Sequence, residues 1–463
     1  MVLQDDAYIV ETTYDAIHWI YTSFLAVKAS IAGKPDCEVR HPEWTSHLLE
    51  RFGRPDKYGY NVAVTGSKGK GSHAILLAGM LQKLGFRVGL FTGPHLVDFM
   101  ERFRVNGRIM PESSFRAYIQ QVRSEVNRVA LPDGQYFGPV GLLAVVAALW
   151  FRDERTDVNI FELGRGALHD DVNRIHHEGA VVAPVFLEHA RELGPTLADV
   201  AREKAGIITS DTRWVCSHPQ SDVVQRALLA RAGAERAAVR SLGAQIPKGT
   251  VAGDVLTLSY PEAQYRITLP FADGFMAQNA SVAFDAARQV WRRLREGERL
   301  ATAIDLSQLR LPGRLQVLAD KPLTVLDGTI HAESAVYLRQ WVAARRRGRA
   351  GKVVAVVSVP ADKDGEGVIR ELSQVVDKIL LTTSGNPHLR YHRQLYDVAR
   401  RYHAACDWFE QVQDALTRSR LETTAEDLLV FAGTQSFVGD VLKRYPVDTR
   451  TLWADTETER ERC

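Results

Sequence analysis

Apolar residues in the first fifty positions recur at helical intervals. Ile17, Ile20, Phe24 and Leu25 fall on one face, and Leu48, Leu49 and Phe52 form a second cluster, so helices lead into the fold. From Asn61 the texture changes. The run NVAVTG is a short β-branched strand ending on glycine, and GSHAILLAGMLQKLG then places Leu77, Met80, Leu81 and Leu84 at helical spacing. Gly85 closes that helix and RVGLFTG is the next strand. Strand, glycine-rich loop, helix and strand make a βαβ unit. Further apolar runs at Val158 to Leu163, Val181 to Leu187, Leu323 to Leu326, Val353 to Val357, Ile379 to Leu381 and Leu428 to Phe431 alternate with helix-compatible stretches. That alternation predicts parallel sheets covered by helices.

Between Ser241 and Leu269 short alternating segments predict hairpins on the edge of the first domain, and a long helix follows from Ala277 to about Arg295. The proline and glycine of LPGRLQ, Leu311 to Gln316, mark the entry to a second α/β domain. The predicted organisation is therefore an N-terminal domain over 1–298 with its helical lead-in, a linker over 299–312, a C-terminal α/β domain over 313–448 and a tail over 449–463. The closing TETERERC reads as frayed and solvated.

Composition narrows the partners. The 463 residues, 45% hydrophobic and 25% charged, suit an ordinary globular protein of two or three domains. The formal net charge of +2 advertises neither a nucleic-acid nor a membrane-surface partner. The longest apolar run, Gly141 to Phe151, is about half of the roughly 20 residues that span a bilayer, so it reads as a buried helix. Four scattered cysteines without a C-x-x-C pair, and an acidic N-terminus lacking secretory features, predict a reducing, cytoplasmic location. A monomer acting on small molecules is the expectation.

The strongest chemical signal is Thr65-Gly66-Ser67-Lys68-Gly69-Lys70-Gly71-Ser72 between a strand and a helix. Glycines let backbone N–H groups wrap phosphate oxygens, the helix N-terminus adds positive potential, Lys70 supplies a charge and Ser72 is suited to Mg²⁺. The loop is shorter than G-x-x-x-x-G-K-[ST], which turns the reading away from an ordinary kinase or motor ATPase. The fold class predicted is α/β: a P-loop-type, mostly parallel sheet domain that binds ATP, followed by a smaller Rossmann-like domain.

With these blocks in place the chain resembles the folylpolyglutamate synthase and dihydrofolate synthase family of the Mur ligase superfamily. The loop is similar to that family's G-T-N-G-K-G-S, with Ser67 and Lys68 in place of Thr and Asn. The resemblance continues through Gly89 to Gly107 (GLFTGPHLVDFMERFRVNG), Phe161 to Asn173 (FELGRGALHDDVN) and Leu197 to Ile208 (LADVAREKAGII). In the second domain it covers Pro312 to Arg314, Asp327-Gly328, Ala361 to Asp364 and Gly433 to Val441.

The resemblance implies an ATP-dependent ligase that joins a carboxylate to an amine through an acyl phosphate, adding glutamate to a folate or pteroate-type acceptor. It assigns Gly66 to Ser72 to the ATP phosphates, Asn279 and Asp327 to adenine and ribose, and Arg314 to a linker arginine reaching the phosphates. Two Mg²⁺ ions are implied, with Ser72, Glu162 and His189 as ligands, and Lys204 is the lysine that this family commonly carbamylates. Lys70, Lys204, His189 and Arg314 are the implied catalytic set. Lys363, Thr434 and Ser436 are candidates for the incoming amino acid's carboxylate, and Asp170, Asn173 and His331 for the substrate pocket.

Departures from the family pattern gather around the acceptor pocket. Gly93 stands where the family has a metal-binding serine, Ile330-His331 where it has His-Asn, and Gly138 where its Y-F-E segment has glutamate. The G-G-R-L-D-A-T-N segment is here Gly166-Ala167-Leu168-His169-Asp170-Asp171-Val172-Asn173. Alternatives from this pattern are a paralogue ligating an amino acid to a non-folate carboxylate, a nucleotide-binding protein that has lost ligase activity, and a phosphoryl-transfer enzyme or ATPase using the same loop.

Overall fold

An eight-stranded sheet organises the first of two units in the computed structural model, which describes residues 10–272, 275–348 and 350–453. Its strands are β1 (Tyr60–Thr65), β2 (Val88–Phe91), β3 (Phe103–Val105), β4 (Arg108–Ile109), β5 (Val158–Glu162), β6 (Gly179–Val182), β7 (Trp214–Ser217) and β8 (Ala238–Ser241). They lie in the order β4-β3-β2-β5-β1-β6-β7-β8, parallel from β2 through β8, with β3 and β4 antiparallel at one edge. Every residue of β1 and β5 is buried, the signature of a sheet covered on both faces, which is why these strands read as unbroken apolar runs. The βαβ unit is present, but β5 lies between its two strands: Ile160 pairs with Val62 on one side and Leu90 on the other.

Helix Lys70–Lys83 leaves the glycine-rich loop and packs against helix Phe275–Leu294. Helix Pro139–Asp153 buries the whole run Gly141 to Phe151. No helix among the described residues is long and apolar enough to cross a membrane. The lead-in helices are Thr13–Ile31, started by a Thr12/Asp15 capping box, and Glu43–Arg51.

A small second sheet holds β9 (Thr250–Ala252), β10 (Val255–Ser259), β11 (Gln264–Thr268) and β12 (Ala303–Asp305). Strands β9 to β11 form the predicted antiparallel hairpins, and β12 joins β11 in parallel. Strand β12 corrects the sequence reading, because it falls inside the segment 299–312 taken as linker. Leu306 and Leu309 then pack against helix Lys70–Lys83 at Gly79, so the first unit runs on to Arg310.

The expected tail over 449–463 is corrected as well. Arg450 to Trp453 return to the first unit: Ile109 N donates to Arg450 O (3.2 Å), Leu452 N to Gly107 O (3.1 Å) and Arg310 N to Leu452 O (2.7 Å), while Trp453 is buried over Gly107. The segment TETERERC lies outside the described residues.

The second unit comprises Pro94–Phe99 and Leu311–Thr449. Its sheet contains β13 (Gln316–Asp320), β14 (Leu323–Asp327), β15 (Val353–Ser358), β16 (Lys378–Thr382), β17 (Cys406–Phe409) and β18 (Leu428–Gly433), in the order β13-β14-β18-β15-β16-β17. All neighbours are parallel except the edge strand β13. Leu326, Val354, Val356, Leu429, Phe431 and Phe437 centre its core, with Leu96 packed against them. That contact explains why six residues from early in the chain belong to this unit.

Candidate active site

The glycine-rich loop sits at the carboxyl end of β1, the end of an open α/β sheet where ligands bind. Gly66 has φ +145°, and a Cβ there would stand 2.6 Å from Ala183 Cβ and 3.0 Å from Ala183 O, so only glycine fits. Gly69, at φ +89°, precedes helix Lys70–Lys83 without a side-chain cap, which leaves the first-turn N–H groups free of a capping oxygen. Ser67 replaces a family threonine and ties the loop to the segment after β6. Its N–H donates to Pro184 O (2.9 Å), its hydroxyl donates to Phe186 O (3.0 Å) and accepts from Phe186 N (3.1 Å). Lys68 N also reaches Pro184 O at 3.4 Å. Lys70 Nζ folds back onto Gly66 O at 2.9 Å, and Ser72 is buried in the first helical turn beside Gly71.

Beneath the loop lies Lys204, fully buried on helix Leu197–Ala205, whose start is fixed by a Thr196/Asp199 capping box. Its Nζ donates to Gly66 O (3.0 Å) and Arg165 O (2.8 Å) and pairs with Glu188 Oε1 at 2.9 Å. Burial lowers its pKa to about 8; the charge of Lys70 pushes the same way, and Glu188 opposes both. Burial works to raise the Glu188 carboxyl, but the charges of Lys204 and Lys70 outweigh it and hold the group below the usual range. The sequence reading missed Glu188. The available signal was its place next to His189, at the end of an apolar run leading out of β6.

Glu162 ends β5 with its oxygens 3.4 and 3.7 Å from the position a Cβ would take at Gly71, directly against the loop. Gly93 N donates to Glu162 Oε2 at 3.2 Å, and a side chain at Gly93 would begin 3.1 Å from the buried Arg102 guanidinium. His189 adopts a left-handed φ of +48°, its ring nitrogens 3.8 and 3.9 Å from carboxylate oxygens of Glu188 and Glu192. No group of three or more His, Cys, Asp or Glu side chains is gathered around one point among the described residues. The hydroxyl of Ser72 and the carboxylate of Glu162 nevertheless form a hard-oxygen donor set beside the glycine-rich loop, which fits Mg²⁺ by donor chemistry.

The residues predicted for the substrate pocket are held by internal bonds. Asp170 caps the short helix Asp171–Arg174, accepts from Gly164 N (3.1 Å) and pairs with Arg40 Nη1 (3.3 Å). Asn173 Nδ2 donates to Gly206 O at 2.9 Å. Asp171 fills the space beside Gly138, where a Cβ would stand 2.7 Å from the Asp171 carboxyl carbon. Burial raises the Asp171 pKa to about 6 against the pull of Arg40.

Asn279 is buried on helix Phe275–Leu294, its Nδ2 4.0 Å from the position a Cβ would take at Gly69. The remaining predicted residues belong to the second unit. There the turn carrying Arg314 packs on the Asp327-Gly328 step: Gly328 N donates to Gly313 O (2.9 Å), Arg314 Nη1 to the same oxygen (2.8 Å), and Leu315 N to Asp327 Oδ2 (2.9 Å). The Thr329 hydroxyl bonds the other Asp327 oxygen. His331 precedes helix Ala332–Arg346, Lys363 Nζ lies 3.4 Å from Asp362 Oδ2, Thr434 caps helix Gln435–Leu442, and the Ser436 hydroxyl accepts from Asn386 Nδ2 (3.1 Å). Asp327 and Thr434 sit at the carboxyl ends of β14 and β18, the binding edge of a parallel sheet.

No family model matches the chain. It is 29% identical over 416 residues to the dihydrofolate synthase/folylpolyglutamate synthase of Escherichia coli K12, spanning 87% of this chain and 90% of that protein. To the enzyme of the same name from Bacillus subtilis it is 27% identical over 413 residues, spanning 86% and 93%. Among solved structures, E. coli FolC in complex with DHPP and ADP superposes with a TM-score of 0.77 at 23% identity, covering 94% of this chain and 98% of that one. At that identity the likeness speaks for the fold.

Proposed function

The chain belongs to the dihydrofolate synthase/folylpolyglutamate synthase family, and on that premise we propose that it is an ATP-dependent ligase adding glutamate to a folate or pteroate-type carboxylate. The observation that carries the reading is the convergence of Lys70 and Lys204 on one loop carbonyl, Gly66 O, at the carboxyl end of β1. A cation at Lys70 on a phosphate-wrapping turn, with the Lys204 amine beneath the same carbonyl as the group to be carbamylated, suits the transfer of a highly charged group.

The reaction runs in two steps. A carboxylate oxygen of the acceptor attacks the γ-phosphorus of ATP, the bond to the β-phosphate oxygen breaks, and ADP leaves an acyl phosphate. The amine of glutamate then adds to the acyl carbon, and the tetrahedral intermediate expels phosphate as the nitrogen loses its proton. Backbone N–H groups of Gly66 to Ser72 hold the phosphates, Lys70 offsets their charge, and Asn279 orients the base. Arg314, Asp327, His331, Lys363, Thr434 and Ser436 are the residues of the second unit assigned to nucleotide and amino acid. We assign Ser72, Glu162 and His189 to divalent ions, which when bound neutralise phosphate charge. Carbamylation of Lys204 turns its cation into an anion. Because Glu188 Oε1, Gly66 O and Arg165 O are all acceptors, that anion is stable there only with a cation beside it.

One observation favours a second reading. The Asp171 carboxylate beside Gly138 replaces a family acid from a different position, so an acceptor other than folate is consistent with the same machinery. The test is release of phosphate from ATP with Mg²⁺, bicarbonate, glutamate and either dihydropteroate or a reduced folate, with products weighed by mass spectrometry. A glutamylated pterin supports the first reading. Phosphate release only with another acid and amine supports the second, and release independent of any amine overturns both. Lys70→Ala is expected to lower turnover by about 10² to 10³-fold.

A further inference from the structure

Two buried histidines that the ligase chemistry leaves unused lie under the phosphate loop. His73, in the first turns of helix Lys70–Lys83, is 0% exposed, and His218, just after β7, is 3% exposed. His73 Nδ1 is 2.7 Å from Gly69 O, and His73 Nε2 is 2.9 Å from His218 Nε2, the rings meeting edge to face with centroids 4.9 Å apart. The polar side chain of Asn279 acts electrostatically on the His218 ring. A run of polar groups thus leads from the loop carbonyl through the two rings to Asn279.

Its proton inventory is determined. A carbonyl oxygen only accepts, so His73 Nδ1 carries hydrogen; the neutral ring then has a lone pair on Nε2, and His218 Nε2 must donate to it. Protonating either ring would set two N–H groups against each other or strand a charge in the interior. One tautomeric arrangement of the two neutral rings therefore satisfies these contacts.

The two ends of the chain give it a purpose. Gly69 turns left-handed at φ +89°, and the C=O and N–H of the following peptide plane point in opposite directions. Holding Gly69 O down on the His73 backbone N–H (3.0 Å) and ring aims the Lys70 N–H out of the helix N-terminus, where a phosphate oxygen accepts it. At the other end, Asn279 Nδ2 stands 4.0 Å from where a Cβ of Gly69 would be, so the amide and the loop turn are neighbours.

We propose that His73 and His218 are positioning residues that join the Asn279 amide to the Gly69 carbonyl, so that recognition of the base and the geometry of the phosphate loop are set together. This rests on the reading of the loop as the ATP site and of Asn279 as the adenine contact. The full-length chain with Mg²⁺ is titrated with ADP and with GDP by calorimetry, as wild type and as variants whose folding is checked by melting. His218→Ala and Asn279→Ala are each expected to weaken ADP binding about tenfold, and the double variant also about tenfold rather than the hundredfold of independent contacts. The preference for ADP over GDP shrinks in the same variants. His218→Gln, whose amide N–H can meet His73 Nε2, recovers most of the affinity. Should His218→Ala not fold, His218→Asn, too short to reach His73, takes its place. Wild-type ADP affinity in the short variant, or losses that multiply in the double variant, overturns the relay. Lys70→Ala separates the levels: if it keeps full ADP affinity, the ATP-site reading itself fails, whereas loss there with unaltered histidine variants removes the relay alone.

Discussion

Asp171 sets its carboxyl carbon 2.7 Å from the position a Cβ would take at Gly138, so the acid and the glycine occupy one another's space. The acid is buried, and the Thr45 hydroxyl donates to its Oδ1 at 3.4 Å.

That burial gives stability a sign with pH. The Asp171 carboxyl titrates near 3.8 when free and at about 6 in the fold, so the native state binds its proton more tightly between those values. Its burial costs nothing below about pH 4, the cost grows as pH rises to about 6, and it is complete above that. Asp171→Asn is expected to melt higher than wild type at pH 7.5, with the gain fading toward pH 4. A gain that is equal at both pH values would show that desolvation of the charge is not the cause.

Placing a glutamate at Gly138 tests that overlap directly. Gly138→Glu alone is expected to cost about 2 to 3 kcal/mol, because its side chain overlaps the Asp171 carboxylate. Combining it with Asp171→Ala should return most of that loss. Additive losses in denaturant melts of the double variant would place the two residues in separate environments.

Lys204 sits among three acceptors, and the proposed carbamate requires its uncharged amine. Burial brings the group to about 8, close enough to neutral pH for a usable uncharged fraction. Removing CO₂ by purging should lower amide formation, and bicarbonate should restore it only with Mg²⁺ present. Lys204→Ala is expected to lose turnover by orders of magnitude while remaining folded. Turnover indifferent to CO₂ removal would take away the carbamate and leave Lys204 as a fixed cation.

Gly66 admits no side chain. Gly66→Ala combines a φ of +145° with contact on Ala183 and should cost about 2 kcal/mol or more, together with nucleotide binding. Unchanged ADP affinity in this variant would detach the turn from phosphate recognition.

What the sequence disclosed follows the range of each interaction. Strands such as β1 and β15 were legible because burial on both faces imposes a continuous apolar run, and the glycine-rich turn after β1 because its residues are consecutive. Strand β12 was hidden: three residues, only the middle one buried, carry no local pattern and gain their identity from pairing with β11. Glu188 was overlooked because an acid beside a histidine looks like surface until Lys204 is folded onto it. His73 and His218 were illegible for the same reason, as their hydrogen bond joins positions 145 residues apart. The linker and tail were misplaced where Leu306, Leu309 and Trp453 find partners that only the folded chain supplies.

The return of Arg450 to Trp453 has a consequence for biosynthesis. Arg104 Nη1 donates to Arg450 O at 2.8 Å across 346 residues, so a contact completing the edge of the first unit is made by residues that follow the second unit in the chain. Vectorial synthesis therefore presents β3 and β4 without their cover until the second unit has been made, and the first unit waits on the second for its own completion. A chain cut short by stop codon or protease before Arg450 loses more than an appendage: it exposes Gly107 and the Leu309-Arg310 step in the unit made first, and its fate would be decided by quality control rather than by chemistry at the loop.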